Sequence, residues 1–157
     1  MASLLMERLH FVKGLDPVAD AFAGATVFSD VINVKNLQRV LFVIHAGVGA
    51  TGTSTITVQA CDDVVPTNRV AIPFHYREIL TGDTEGALTA VAATGFATTA
   101  GSSKIILVEV REDALSASGF GYVQLKAAEV VDSPVLGSIL VIGESKIPGA
   151  LKPTAIV

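Results

Sequence analysis

Between Ser54 and Cys61 the chain alternates strictly, with Ile56, Val58 and Ala60 set against Thr55, Thr57 and Gln59. Successive side chains of an extended strand point to opposite faces, so a period of two predicts a β-strand with one wet face. The same rhythm recurs along most of the chain. Over Arg39–Ala46 it puts Val40, Phe42 and Ile44 on one face and Leu41 and Val43 on the other. Apolar residues on both faces predict a central strand covered on each side. Lys104–Arg111, Gly121–Val131 and Leu136–Gly143 read as further strands; in the second of these Val123, Leu125 and Ala127 oppose Tyr122, Gln124 and Lys126.

The weaker segments fit the same class. Val27–Val34 is β-rich, and Ala71–Glu78 alternates with Ile72, Phe74 and Tyr76 inward and His75 and Arg77 outward. Pro73 lacks an amide donor, which places that strand at an edge or a bulge. Gly86–Ala100 is rich in Ala and Thr; its glycines and threonines favour a weak strand or pair of strands over a helix. About eight strands with turn signals between them and almost no helix predict an all-β sandwich or barrel. No repeat of fixed period occurs, which argues against a solenoid or propeller. Residues 1–25, punctuated by Gly14, Pro17 and Gly24, read as an N-terminal arm or short helix lying on the body. The β-sandwich domain is assigned to 26–146, and 147–157, with Pro148, Gly149 and Pro153, reads as an extended C-terminal tail.

Composition narrows the function classes. The 157 residues are 50% hydrophobic but only 17% charged, below the roughly 25% usual in soluble domains. A surface that poor in charge suggests cover by partners. With 11 basic against 15 acidic residues, net −4, and no basic cluster, direct nucleic-acid binding is not expected. No run approaches 18 uninterrupted apolar residues, so no membrane span is expected. Glu7, Arg8, His10 and Lys13 interrupt any signal-peptide core ahead of Ala21–Ala25. Cys61, the one cysteine, has no internal disulfide partner and reads as a small core or interface residue.

The motifs that carry chemistry fail on context. Gly47-Val48-Gly49-Ala50-Thr51-Gly52 matches the dinucleotide pattern G-x-G-x-x-G, but the fingerprint needs a helix next, and Ser-Thr-Ile-Thr-Val is a strand. His10, His45 and His75 have no metal-ligand spacing, although His45 and His75 would converge with Asp62 or Asp63 in some folds. No G-x-S-x-G elbow occurs. Asp62-Asp63 reads as a solvated turn, and Glu109, Arg111, Glu112 and Asp113 as a charged strand end. The sequence therefore assigns no catalytic, cofactor-binding or metal residues, no cofactor, and no enzymatic activity.

Ser29-Asp-Val-Ile-Asn-Val-Lys-Asn, Val40-Leu-Phe-Val-Ile, Thr55-Ile-Thr-Val-Gln-Ala-Cys-Asp-Asp, Ala71-Ile-Pro-Phe-His-Tyr-Arg-Glu and Ser133-Pro-Val-Leu-Gly-Ser-Ile-Leu-Val-Ile-Gly-Glu follow one another in that order. Over roughly residues 26 to 147 this series resembles the jelly-roll decoration, or cement, proteins of tailed bacteriophages. The resemblance implies a jelly-roll-like antiparallel sandwich. It also implies a homodimer or homotrimer that bridges major capsid proteins on the capsid exterior, made in the host cytoplasm. A neck, tail or fibre subunit and a glycan- or receptor-binding jelly-roll module are the alternatives. None of these runs carries chemistry, and no contact residues transfer to 1–25 or to the tail.

Overall fold

The computed structural model describes residues 4–147; beyond Ile147, the extended tail expected over 147–157 lies outside the described residues. One helical turn, α1 (Leu5–Arg8), leads into β1 (Leu9–Val18). The short β2 (Thr26–Phe28) and β3 (Ile32–Asn33) precede two long strands, β4 (Leu37–Ala46) and β5 (Thr53–Cys61). β6 (Arg69–Ile72) and β7 (Phe74–Leu80) flank Pro73, and β8 (Thr84–Glu85), β9 (Thr89–Val91) and β10 (Phe96–Ala97) lead to β11 (Lys104–Arg111). The helix α2 (Glu112–Ser118) then precedes β12 (Tyr122–Val131) and β13 (Gly137–Ser145).

The strand pairings nest. β1 pairs with β13, β2 and β3 with β12, β4 with β11, and β5 with β6 and β10, all antiparallel. The chain is thus one long hairpin, rolled so that β13 also pairs β4 and β12 also pairs β5. This winding is the jelly roll, and it yields two facing antiparallel sheets. The larger sheet runs β1-β13-β4-β11-β7, with β8 and β9 on the far side of β7. The smaller sheet has β5 and β12 at its centre.

Alternation sets what lies between the sheets. Val40, Phe42 and Ile44 of β4, Val108 and Val110 of β11 and Val141 of β13 point inward and are buried. They meet Ile56 and Val58 of β5 and Val123, Leu125 and Ala127 of β12 in one hydrophobic cluster. Facing sheets stand about 10 Å apart, so these rows interdigitate into a single core. At one end the core is closed by a polar plug. The Lys104 ammonium lies 3.3 Å from a Glu78 carboxylate oxygen and 2.9 Å from Thr99 Oγ1, and it donates also to the Thr99 carbonyl.

Four sequence expectations change. Residues 9–18, assigned to an arm or short helix, form a ten-residue edge strand of the larger sheet. Gly14 is a buried residue of that strand at a register shift, where a Cβ would stand 2.9 Å from Val141 Cγ2. Ala71–Glu78 is not one strand: the chain crosses at Pro73 from the smaller sheet to the larger. Glu112 and Asp113, taken as a strand end, open α2, where negative charge suits the helix N-terminus and Leu115 anchors the turn in the core. Last, β4 is central within its sheet, but only one of its faces is covered by described residues.

Candidate functional site

The residues tested for chemistry are placed apart or already engaged. The Gly47–Gly52 loop joins β4 directly to β5. Its glycine at 52 serves close packing, since a Cβ there would lie 2.1 Å from the Ser133 carbonyl oxygen. His45 on β4 and His75 on β7 are separated by β11 and stand level with different residues of it, Ile105 and Glu109. His10 lies on β1, opposite Gly143. Among the described residues no group of three His, Cys, Asp or Glu side chains stands close enough to hold a metal ion.

Asp62 is a loop organiser. Its carboxylate accepts from Thr67 Oγ1 at 2.7 Å, from Asn68 Nδ2 at 2.8 Å, and from the Thr67 and Asn68 backbone amides at 3.1 Å. The Thr67 hydroxyl, followed by the two donors of Asn68, holds this carboxyl well below the usual range. Sequence reading missed this role, although an Asp ahead of a Pro-Thr-Asn turn is the signal for it. Cys61 is buried, and burial pushes its thiol up to about 11 against the opposing pull of Arg69. Asp30 is raised by burial and by neighbouring Asp16, partly offset by Lys13.

What remains is a contrast between two sheet faces. The outer face of the smaller sheet carries Thr55, Thr57 and Gln59 beside Tyr122, Gln124 and Lys126. Its polar residues partner one another, with the buried Gln124 Nε2 donating to Gln59 Oε1 at 3.1 Å, and Arg69 stands over the Phe28 ring at 5.4 Å. The outer face of the larger sheet is different. Residues level across its strands form ranks, and the first rank reads Phe11, Ile142, Leu41, Glu109, His75. The second reads Lys13, Leu140, Val43, Leu107, Arg77, and the third Ser138, His45, Ile105, Ile79. Eight of these positions are large and apolar, and no described element packs over them. Phe11 is 48% exposed and Leu140 40%, and the other six are partly buried.

The relief and charge of this face are also defined. A depression of about 320 Å³ opens beside the register shift of β1, walled by Leu15 and Pro17 and floored by Val43, Ile105 and Leu140. Charges fringe the apolar ranks as internal pairs. Arg39 bonds Glu144 at 2.8 Å and approaches Glu109 at 3.8 Å, Arg8 reaches Glu144 at 3.4 Å, Lys13 pairs with Asp16 at 3.1 Å, and Arg77 with Glu85. Such exposed pairs add little stability. Their effect is to leave the fringe nearly neutral. An apolar face with a neutralised fringe can bind a surface.

No protein-family model matches the chain, and no curated protein matches it. Solved structures with a similar backbone include the SPBc2 prophage-derived protein YomS, 11% identical with a TM-score of 0.49 over 87% of this chain and 93% of that one. A second is the structure of infectious bursal disease virus Gt strain, 14% identical with a TM-score of 0.36 over 93% of this chain and 34% of that one. A third is the VP2 subviral particle of infectious bursal disease virus, 13% identical with a TM-score of 0.25 over 90% of this chain and 41% of that one. At these identities and scores the neighbours' roles do not transfer to this chain.

Proposed function

We propose that this chain is a structural virion protein without catalytic activity, a decoration subunit that binds the outside of a bacteriophage capsid and stabilises contacts between major capsid proteins. The observation that carries the reading is the uncovered apolar face of the larger sheet on a rigid sandwich. Apolar surface of that extent on one face marks a site of association. The low share of charged residues and the resemblance of residues 26–147 to cement proteins support the same role.

The physics suits it. A subunit that binds the assembled shell and not its dissociated parts stabilises the shell by mass action. A preformed sandwich loses little conformational entropy on docking, so more of the contact energy appears as affinity. Co-sedimentation of the purified protein with full capsids, followed by electron microscopy of the particles, tests the proposal. Saturable binding in icosahedral copy number is the expected result. Failure to bind capsids, or density confined to the tail axis, would refute it.

A further inference from the structure

We propose that the chain beyond Ile147 folds back on its own body and seats Leu151 in the groove between α2 and the connection from β3 to β4. This pairing of tail and groove stands apart from capsid binding and holds whether or not the chain decorates a shell.

The groove is of the right kind. It measures about 280 Å³ and lies at the end of the sandwich where β13 finishes. The buried Val34, Leu37 and Leu115 form its floor, and the partly buried Phe120 stands beside them. An apolar cavity of about 150 Å³ already holds benzene, so this groove has room for a leucine side chain. Lys146 and Glu112 line it as an ion pair at 2.6 Å, and the exposed Lys35 adds one positive charge. With its acid already paired, the groove favours an apolar occupant over a cation.

The chain leaves the described body at the groove's edge. The Lys146 amide donates to the Asn36 carbonyl at 3.0 Å, between Lys35 and Leu37, which both line the groove. Ile147 follows, 67% exposed. Next comes Pro148-Gly149, the residue pair that suits the two central positions of a type II turn. Such a turn brings Ala150 within about 7 Å of Ile147 and reverses the chain toward the body. Leu151 is then the first large apolar residue of the tail. In an extended segment Leu151 and Lys152 point to opposite sides, so the lysine keeps to water while the leucine enters.

Reach separates this groove from the apolar depression on the larger sheet. An extended chain advances at most about 3.6 Å per residue, so Leu151 stays within about 14 Å of Ile147. Leu140, at the near side of that depression, lies seven positions back along β13, about 24 Å away. Tethering also favours the chain's own tail over a free partner. A short flexible link holds its segment at an effective concentration in the millimolar range, which a separate molecule must exceed. Burying most of a leucine side chain then favours the docked state by about tenfold or more.

The test uses the full chain, which has no tryptophan, so Leu151→Trp introduces a single fluorophore. Docking is expected to shift its emission to the blue and to lower its acrylamide quenching at least about threefold below that of the urea-unfolded chain. Both effects should persist on dilution, with circular dichroism monitoring the fold. Leu151→Asp provides a second measure without a bulky ring: its backbone amide NMR shifts relative to the wild type should cluster at Val34, Leu37, Ser116 and Phe120. A fully quenched tryptophan together with no shifts at the groove in Leu151→Asp overturns the proposal. So do shifts that cluster on the outer face of the larger sheet, or protection that disappears on dilution, which would assign the tail to another copy.

Discussion

Replacing Glu78 by Gln removes one negative charge from the plug at the end of the core while keeping the side chain's shape. Its partner, the Lys104 side chain, is only 7% exposed, so the ammonium stays buried with neutral acceptors. Removing one member of a buried ion pair costs about 3–5 kcal/mol, because the other charge is left without its counterion. Here Glu78 is 21% exposed and the two Thr99 oxygens remain. Both facts lower the expected cost to about 2–3 kcal/mol. For a domain of this size that corresponds to a fall in Tm of roughly 5–10 °C. Removing both charges together, as Glu78→Leu with Lys104→Met, leaves no orphan and is expected to lie within about 1 kcal/mol of the wild type. Urea unfolding followed by far-ultraviolet circular dichroism measures all three proteins. A Glu78→Gln variant within about 0.5 kcal/mol of the wild type, or a double variant weaker than the single one, would refute the reasoning.

Three further outcomes are expected. With its thiol pushed up to about 11, Cys61 is ionised to roughly one part in a thousand at pH 8 and is also buried, so an aromatic disulfide reagent should label it only after unfolding; fast labelling of the folded chain would contradict this. The depressed carboxyl of Asp62 stabilises the fold above the unfolded value of about 3.9 and loses that contribution as the pH falls toward its folded value. The gap in urea midpoint between wild type and Asp62→Ala should therefore hold steady near neutrality and shrink below about pH 4; a gap that widens in acid would be the wrong sign. Gly52→Ala puts a methyl 2.1 Å from the Ser133 carbonyl oxygen and should cost about 2–3 kcal/mol by thermal unfolding, whereas a neutral result would mean the loop and Ser133 separate freely.

The sandwich was legible where one face is wet. In β5 and β12 the side chains alternate with the sheet itself, and nothing competes with that signal. β1 was hidden because Gly14 and Pro17 mark turns in most settings; here one fits beneath the side chains of β13 and the other lies near the strand's edge-exposed end. Alternation continues through Pro73, so the proline alone marks the place where the chain changes sheets, and it reads as an edge or a bulge. α2 is seven residues long, too short for a helical period to emerge. The candidate surface was half legible. Leu41 and Val43 showed that β4 is apolar on both sides, and the natural inference was a second covering layer from the same chain. Sequence periodicity reports that a face avoids water, but it does not report which molecule covers it.

The nested pairing has a consequence for how the molecule comes into being. Leu9 is hydrogen-bonded level with Glu144, so the first-made long strand has no neighbour until almost everything described here has been synthesised. Only the innermost turns of the roll, β5 with β6 and β7 with β8 and β9, can close over a short stretch of chain, and later pairs must zip outward across growing loops. Such a topology belongs to the slow, non-local class of folders, in which exposed strands wait longest and invite mispairing. The register shifts along β1 are therefore well placed: they keep the last strand to dock from being a smooth template for a stranger while it waits.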